Sequence, residues 1–233
     1  MRAGIYAMVG LLTLGWIGCG SQKVTESDLK EQEARISYAW GHDIGTQLKQ
    51  QEYAFNTEIL TQGIQDGLQE GVSLLTQEEL QEAMLAFQNR QQEQFADERK
   101  SVAEKNLGEG KLFLEENSTK EGVVVLPSGL QYQILREGTG PQPQLTDQVS
   151  THYIGAFLDG TEFNNSYQEG KPAIFPVNRV IPGWTEALQL MKVGAKWKLW
   201  IAPELGYGEA GRGEMIPPSS TLVFEVELLS IVK

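Results

Sequence analysis

VSTHYIGAFLDGTEFNNS, residues Val149–Ser166, decides the character of the second half of the chain. Val149, Thr151, Tyr153 and Gly155 alternate with Ser150, His152 and Ile154, the period of a strand whose side chains point to opposite faces in turn. Asp159-Gly160 is then a strong hairpin signal, because glycine tolerates the positive φ that a tight turn between twisted strands requires. The same alternation recurs on both sides. Leu130, Tyr132 and Ile134 are separated by Gln131 and Gln133, and a final strand puts Leu222, Phe224, Val226 and Leu228 on one face with Val223, Glu225 and Glu227 on the other. Everything after Pro127 therefore reads as mostly β, with one interruption. In RVIPGW, Arg179–Trp184, a Pro-Gly turn leads into a short helix from Trp184 to Met191, and the stripe of Trp184, Leu188 and Met191 gives that helix one face to bury against the sheet.

The first half has a different grammar. From Val24 to about Asn117 the chain is rich in Gln, Glu, Ala and Leu, lacks proline, and repeats its apolar positions every three or four residues, which predicts helices. Ile36, Ala39, Trp40, Ile44 and Leu48 form one stripe, and Ile59, Ile64 and Leu68 mark a second short helix before Gly71. Thr76-Gln77-Glu78-Glu79 has the form of a capping box, with Leu75 and Leu80 placed as a hydrophobic staple, so a third helix should begin there. If it runs unbroken from Gln77 to Asn117 it reaches about 60 Å at 1.5 Å per residue. Its middle, Asn89 to Lys105, is mostly polar. Two arrangements fit: a solvated stalk, or a helix broken at Gly108 and folded back on its own domain.

Composition limits what the chain can bind and what chemistry it can carry. With 233 residues, 40% of them hydrophobic, there is material for a real core. The formal net charge of -12 lacks the basic footprint that a phosphate backbone demands, so nucleic acid is set aside. His42 and His152 are the only histidines and Cys19 the only cysteine, which leaves no intramolecular disulfide, no metal cluster and no nucleophile–base pair; neither cofactor nor metal is expected. His152 is expected at the surface. Gly206-Tyr207-Gly208-Glu209-Ala210-Gly211 matches G-x-G-x-x-G, but Met215-Ile216-Pro217-Pro218 follows where a dinucleotide site needs a helix, so the glycines read as a turn-rich loop carrying Tyr207.

At the N-terminus, Met1-Arg2 followed by an apolar run from Ile5 to Ile17 has the shape of an export signal, and about 13 apolar residues fall short of the ~20 that span a membrane. Trp16-Ile17-Gly18-Cys19 resembles a bacterial lipoprotein cleavage site. That resemblance implies lipidation at Cys19, membrane contact through the anchor alone, and, with Gly20-Ser21 following, the outer membrane, on its periplasmic face or at the cell surface; soluble periplasmic export is the alternative.

The aromatics of the β half, Tyr153, Phe163, Phe175, Trp184, Tyr207 and Phe224, could simply fill a core. Two of them stand in places where ligand contacts are common, Tyr207 in a glycine loop and Trp184 on the first turn of a helix. The motifs VSTHYIGAFLDGTEFNNS, VIPGW, ELGYG and IPPSSTLVFEVELL, in this order and spacing, closely resemble the FKBP-type peptidyl-prolyl isomerases from about Ser128 to the C-terminus, and the helical part before them resembles the N-terminal region of the Mip and FkpA subfamily. The resemblance implies an α+β fold: an N-terminal all-α dimerisation region with a long stalk helix, then a five- or six-stranded antiparallel half-barrel wrapped around a short helix. It divides the chain into a leader at 1–19, a dimerisation region at 20–75, a connecting helix at 76–120 and an isomerase domain at 121–233.

By the same resemblance Trp184 floors a pocket, Tyr153, Phe163, Phe175, Val180, Ile181 and Phe224 wall it, Ile216 also contacts substrate, and Tyr207 hangs over the rim. Tyr153, Phe163, Asn164, Tyr207 and Phe224 take the catalytic positions, while the Ile181 N–H and the Tyr207 hydroxyl hold carbonyls flanking the substrate proline. Unfolded or partly folded proline-containing polypeptides are the implied partners, with a second copy of the chain and with macrolide inhibitors such as rapamycin. The sequence departs from the family at Asn164, where an aspartate is usual, and at Glu169, near which many relatives carry an arginine. The paired loss leaves neither charge stranded and predicts weakened catalysis with proline binding kept; the alternative is that a substitution at the pocket edge matters little. A holdase chaperone with weak or lost isomerase activity is the alternative function.

Overall fold

The computed structural model describes residues 24–50 and 53–232, so the leader and Cys19 lie outside the described residues. It divides into two compact units, one ending at Thr76 and the other running from Gln77 to the C-terminus. In the first, α1 (Gln32–Gln50) and α2 (Thr57–Gly67) follow the predicted stripes. Asn56 caps α2, its side-chain carbonyl accepting from the Glu58 and Ile59 N–H groups, each at 3.0 Å. Neither helix has a buried residue: Trp40 is 70% exposed and Ile59 71%.

The second unit opens with α3, a single 41-residue helix from Gln77 to Asn117 that passes through Gly108 without a break. Seven strands follow: β1 (Val123–Val125), β2 (Gln131–Arg136), β3 (Gln148–Ala156), β4 (Glu162–Asn165), β5 (Ala173–Pro176), β6 (Lys196–Ile201) and β7 (Leu222–Val232). They form one sheet in the order β1-β2-β6-β7-β3-β4, and each pairing is antiparallel. The count exceeds the five or six expected for a simple reason. β4 and β5 share one neighbour, β5 pairing with Gln148–Thr151 of β3 and β4 with Ile154–Ala156, so the sheet is six strands wide.

α4 (Pro182–Leu190) lies against the inner face of this sheet. Pro182 takes its first turn, where a missing N–H costs nothing, and the helix begins two residues earlier than the apolar stripe alone indicates. Trp184, Ala187 and Leu188 are buried on one side of it and meet Leu199, Ile201, Leu222, Phe224, Val226 and Leu228 from β6 and β7. Register shifts in β3 at Ser150/Thr151 and Gly155/Ala156 mark bulges, which bend a strand and increase its twist.

The outer face is covered as well. Trp200 should face solvent if Trp197, Leu199 and Ile201 face inward, yet it is 6% exposed. The last turns of α3 lie over it: the Asn117 side chain donates to the Gln131 side-chain oxygen (Oε1) at 2.9 Å, and the Gln131 side-chain NH2 donates to the Leu114 backbone carbonyl at 2.8 Å. Farther back, Asn106 donates to the Pro218 carbonyl and Arg99 to that of Ala210, both at 2.8 Å. Neither sequence-based arrangement describes this helix fully, because it is unbroken and its C-terminal half packs on the β domain. Gly110 permits the approach, since a Cβ there would strike the Thr221 side chain.

The two α3 glycines should therefore respond with opposite signs to alanine. Gly108 has open space around a Cβ, so Gly108→Ala is expected to stabilise by about 1 kcal/mol through helix propensity, whereas Gly110→Ala should destabilise by about 1–3 kcal/mol through overpacking. Urea denaturation of both variants checks this.

Candidate functional site

Trp184 is held by three aromatic rings set almost perpendicular to its own. Tyr153 stands at 5.1 Å and 89°, Phe224 at 5.4 Å and 83°, and Phe175 at 5.7 Å and 86°, the edge-to-face geometry that ring quadrupoles favour. Each ring comes from a different element: α4, β3, β7 and β5. Gly155 of β3 makes the assembly possible, because a Cβ there would run into the rings of Phe163 and Phe224. The α4 helix is tied in place by Thr185, whose hydroxyl donates to the Val177 carbonyl at 2.8 Å.

Above the indole lies a cavity of about 460 Å³, lined by Tyr153, Phe175, Arg179, Val180, Ile181, Trp184, Tyr207, Arg212 and Phe224. It is thus the meeting place of seven of the residues picked out from the sequence. Three others stand apart. Phe163 backs the wall, 5.6 Å from Phe224 at 85° and 5.0 Å from Phe157. Asn164 pairs through its backbone with Gly155, and its buried side-chain oxygen finds no donor among the described residues. Ile216 is 1% exposed in the core, not on the cavity wall. Its N–H and carbonyl bond the backbone of Arg212, so it shapes the loop that carries Tyr207.

That loop is built as the glycines indicate. Gly208 and Gly211 have φ of 62° and 65°, and no helix follows them. Tyr207 is half-buried, and its hydroxyl accepts a hydrogen bond from Arg212 at 3.3 Å, which leaves its own proton free to donate. Across the cavity, Ile181 is the N-cap of α4, and among the described residues no hydrogen bond uses its N–H. Two donors with open valences thus belong to a largely aromatic cavity. Burial pushes the Tyr153 phenol above its ordinary pKa, and the Glu169 carboxylate adds to the shift, so the ring stays neutral.

His152 departs from its surface expectation. It is half-buried, stacks on Tyr167 at 4.4 Å and contacts the Ser166 hydroxyl at 3.0 Å, which in turn accepts from the Tyr153 N–H at 2.8 Å. Its role is to brace β3. Sequence reasoning also missed Arg179 and Arg212 as lining residues. The available signal was position: one directly precedes VIPGW and the other ends the glycine loop.

Comparison with known proteins matches the geometry. The family model described as FKBP-type peptidyl-prolyl cis-trans isomerase covers residues 140–229, and that of the domain amino-terminal to it covers residues 33–134. The chain is 45% identical over 202 residues to an FKBP-type 22 kDa peptidyl-prolyl cis-trans isomerase of Escherichia coli K12, covering 86% of this chain and 96% of the relative. It is 40% identical to the outer membrane protein MIP of Legionella longbeachae, covering 89% of each. The crystal structure of FkpA from Escherichia coli superposes with a TM-score of 0.73 at 38% identity, over 87% of this chain and 97% of that one.

The orphaned Asn164 carbonyl gives a direct test. A buried acceptor without a donor costs about 1–3 kcal/mol, so Asn164→Leu should leave the fold as stable or raise its unfolding midpoint in urea, while Asn164→Asp, which puts a charge in the same buried place, should lower it.

Proposed function

This chain belongs to the FKBP-type peptidyl-prolyl cis-trans isomerases, in the Mip and FkpA subfamily, and has that enzymatic activity; we propose that the cavity floored by Trp184 is where it acts. The carrying observation is the pair of open donors, the Ile181 N–H and the Tyr207 hydroxyl, in a cavity whose surface is otherwise mostly rings.

Rotation about an X-Pro bond is slow because amide resonance sets a barrier of ~18–20 kcal/mol. No nucleophile is needed to lower it. The planar amide carries more charge separation than the twisted one, so an apolar cavity that excludes water favours the twisted form. The proline ring sits on the Trp184 indole among Tyr153, Phe175 and Phe224, with Phe163 fixing the tilt of Phe224 from behind. Val180 closes the side wall, and Ile216 acts through the loop it shapes. The Ile181 N–H and Tyr207 hydroxyl take the two carbonyls flanking the proline and hold the segment while the bond turns. About 4 kcal/mol of preference for the twisted amide gives roughly a thousandfold acceleration. Asn164 has no charge to place at the edge, so its contribution is steric and dipolar and the rate is reduced. Rapamycin, an apolar macrolide, competes for the same cavity.

The clients are proline-containing polypeptides of the bacterial envelope, with Cys19 as the lipidated residue after removal of 1–18. No helix among the described residues is long and apolar enough to cross a membrane. The region 20–75 is the dimerisation element, 76–120 the connecting helix and 121–233 the isomerase domain. Support for a second copy comes from Ile36, Trp40 and Ile44 on α1, Ile59 and Ile64 on α2 and Leu68 just after it, all exposed apolar side chains that a lone chain leaves in water. Sedimentation should find a dimer for the protein starting at residue 20 and a monomer once residues 20–75 are removed.

Ile181→Pro isolates the backbone donor. The Ile181 φ of -61° already suits proline, as do the extended dihedrals of Val180 before it, so the exchange deletes the N–H with little backbone change. Its kcat/KM on a Leu-Pro peptide should fall about tenfold below that of Ile181→Ala, which controls for the lost side chain. Equal values in the two variants would show that the N–H holds nothing.

A further inference from the structure

Two guanidinium groups stand at the rim of the cavity, and they come from different walls. Arg179 ends the single 3-10 turn Val177–Arg179 between β5 and α4, and Arg212 follows Gly211 in the loop that carries Tyr207. Both are exposed, and no carboxylate is among the described lining residues. The Arg179 side chain forms no hydrogen bond or ion pair among the described residues. Arg212 lies with its guanidinium carbon 5.6 Å from the centre of the Tyr207 ring and spends one N–H on that hydroxyl, so most of its five-donor fork is free. Asn164 adds no negative charge to offset them, and Glu169, whose carboxylate is near enough to act on the Tyr153 phenol, is ion-paired to neither arginine.

This placement runs against the charge of the whole molecule. A chain with a net charge of -12 places two arginines and no carboxylate in the lining of this aromatic cavity, at the mouth where a bound segment enters and leaves. We propose that the pocket selects X-Pro segments carrying an acidic side chain immediately before or after the proline, with Arg179 or Arg212 taking the carboxylate. The inference rests on the isomerase reading and specifies its substrate class. Proline itself is bound by the rings and supplies no discrimination between neighbours. The residues beside it project past the rim, where an arginine meets a carboxylate with a planar, two-pronged fit and repels a lysine. Glu209 and Glu214 lie on the Arg212 loop, three and two residues from it, but neither is ion-paired to it or lines the cavity; carboxylates farther off are screened, since at about 0.1 M salt the screening length is about 10 Å.

The test measures isomerisation by the dimer-competent protein starting at residue 20, in about 0.1 M salt, by NMR exchange on acetyl-Ala-Xaa-Pro-Phe-amide with Xaa as Glu, Gln or Lys, and on acetyl-Ala-Ala-Pro-Yaa-amide with Yaa as Glu or Gln. In at least one series the Glu peptide should exceed Gln in kcat/KM by about two- to fivefold, the range for an exposed charge pair, and Lys should fall below Gln. The double variant Arg179→Gln/Arg212→Gln should bring the Glu-to-Gln ratio to about one, whatever its absolute rates. Equal Glu and Gln values in both series for the unmodified protein, or a ratio that survives in the double variant, overturns the proposal. If the Gln peptides are not isomerised at all, the isomerase reading itself fails. Calorimetric affinities for the same Glu and Gln peptides then decide the selectivity by the same ratios.

Discussion

The structure of the β domain depends on burying one indole. Trp184 is 4% exposed, and the elements around it can be understood as what its burial requires. A tryptophan on the first turn of a nine-residue helix cannot be covered by that helix, so its neighbours come from elsewhere in the sequence, as Tyr153, Phe175 and Phe224. Edge-to-face packing fills three sides of the ring and leaves its upper face to the cavity. The price is a set of polar atoms without partners. The indole N–H and the Asn164 side-chain oxygen are both buried without a hydrogen bond among the described residues, each a cost of about 1–3 kcal/mol. Such costs are usual where binding takes precedence over packing.

Rigidity in the walls goes with open valence at the donors. The Ile181 N–H is fixed by the start of α4, and Thr185 anchors that start to Val177. Tyr207 rides on a loop whose shape is set by Ile216, a residue that never reaches the cavity. The loop is also touched from behind, since Arg99 of α3 donates to the carbonyl of Ala210. Helix, loop and pocket are therefore joined by direct contacts within one compact unit.

Much of this was legible before any coordinates. The period-two runs in β3 and β7, the Asp159-Gly160 turn and the Pro-Gly entry to α4 are local signals, and local signals survive folding. The aromatic box was readable only through the order of motifs, because edge-to-face contacts between residues 153, 175, 184 and 224 leave no trace in any short window. Contacts across longer separations were hidden altogether. That α3 covers the sheet was betrayed only by Trp200 sitting on the wrong parity of β6, and Gly110 in mid-helix looks like a weak point until Thr221 is seen beside it. Ile216 was misplaced because an apolar residue in a binding loop can face either the ligand or the core, and sequence does not say which. Arg179 escaped notice because an exposed arginine carries no sequence mark of what it faces.

The end-to-end placement of β4 and β5 along β3 has a consequence for handling unfolded chains. β3 offers no bare hydrogen-bonding edge: β5 takes Gln148–Thr151, β4 takes Ile154–Ala156, and in the gap the Tyr153 N–H is taken by the Ser166 hydroxyl while its carbonyl accepts from the Ser166 N–H at 3.0 Å. The borders that remain are short: three residues of β1 and the end of β2 past Gln133 on one side, and four residues each of β4 and β5 on the other. Short borders are poor templates for strand addition, the backbone-to-backbone pairing by which nonnative polypeptides stick to sheets and seed aggregates. A client can therefore be gripped by its proline and let go, without being zipped onto the enzyme as an extra strand.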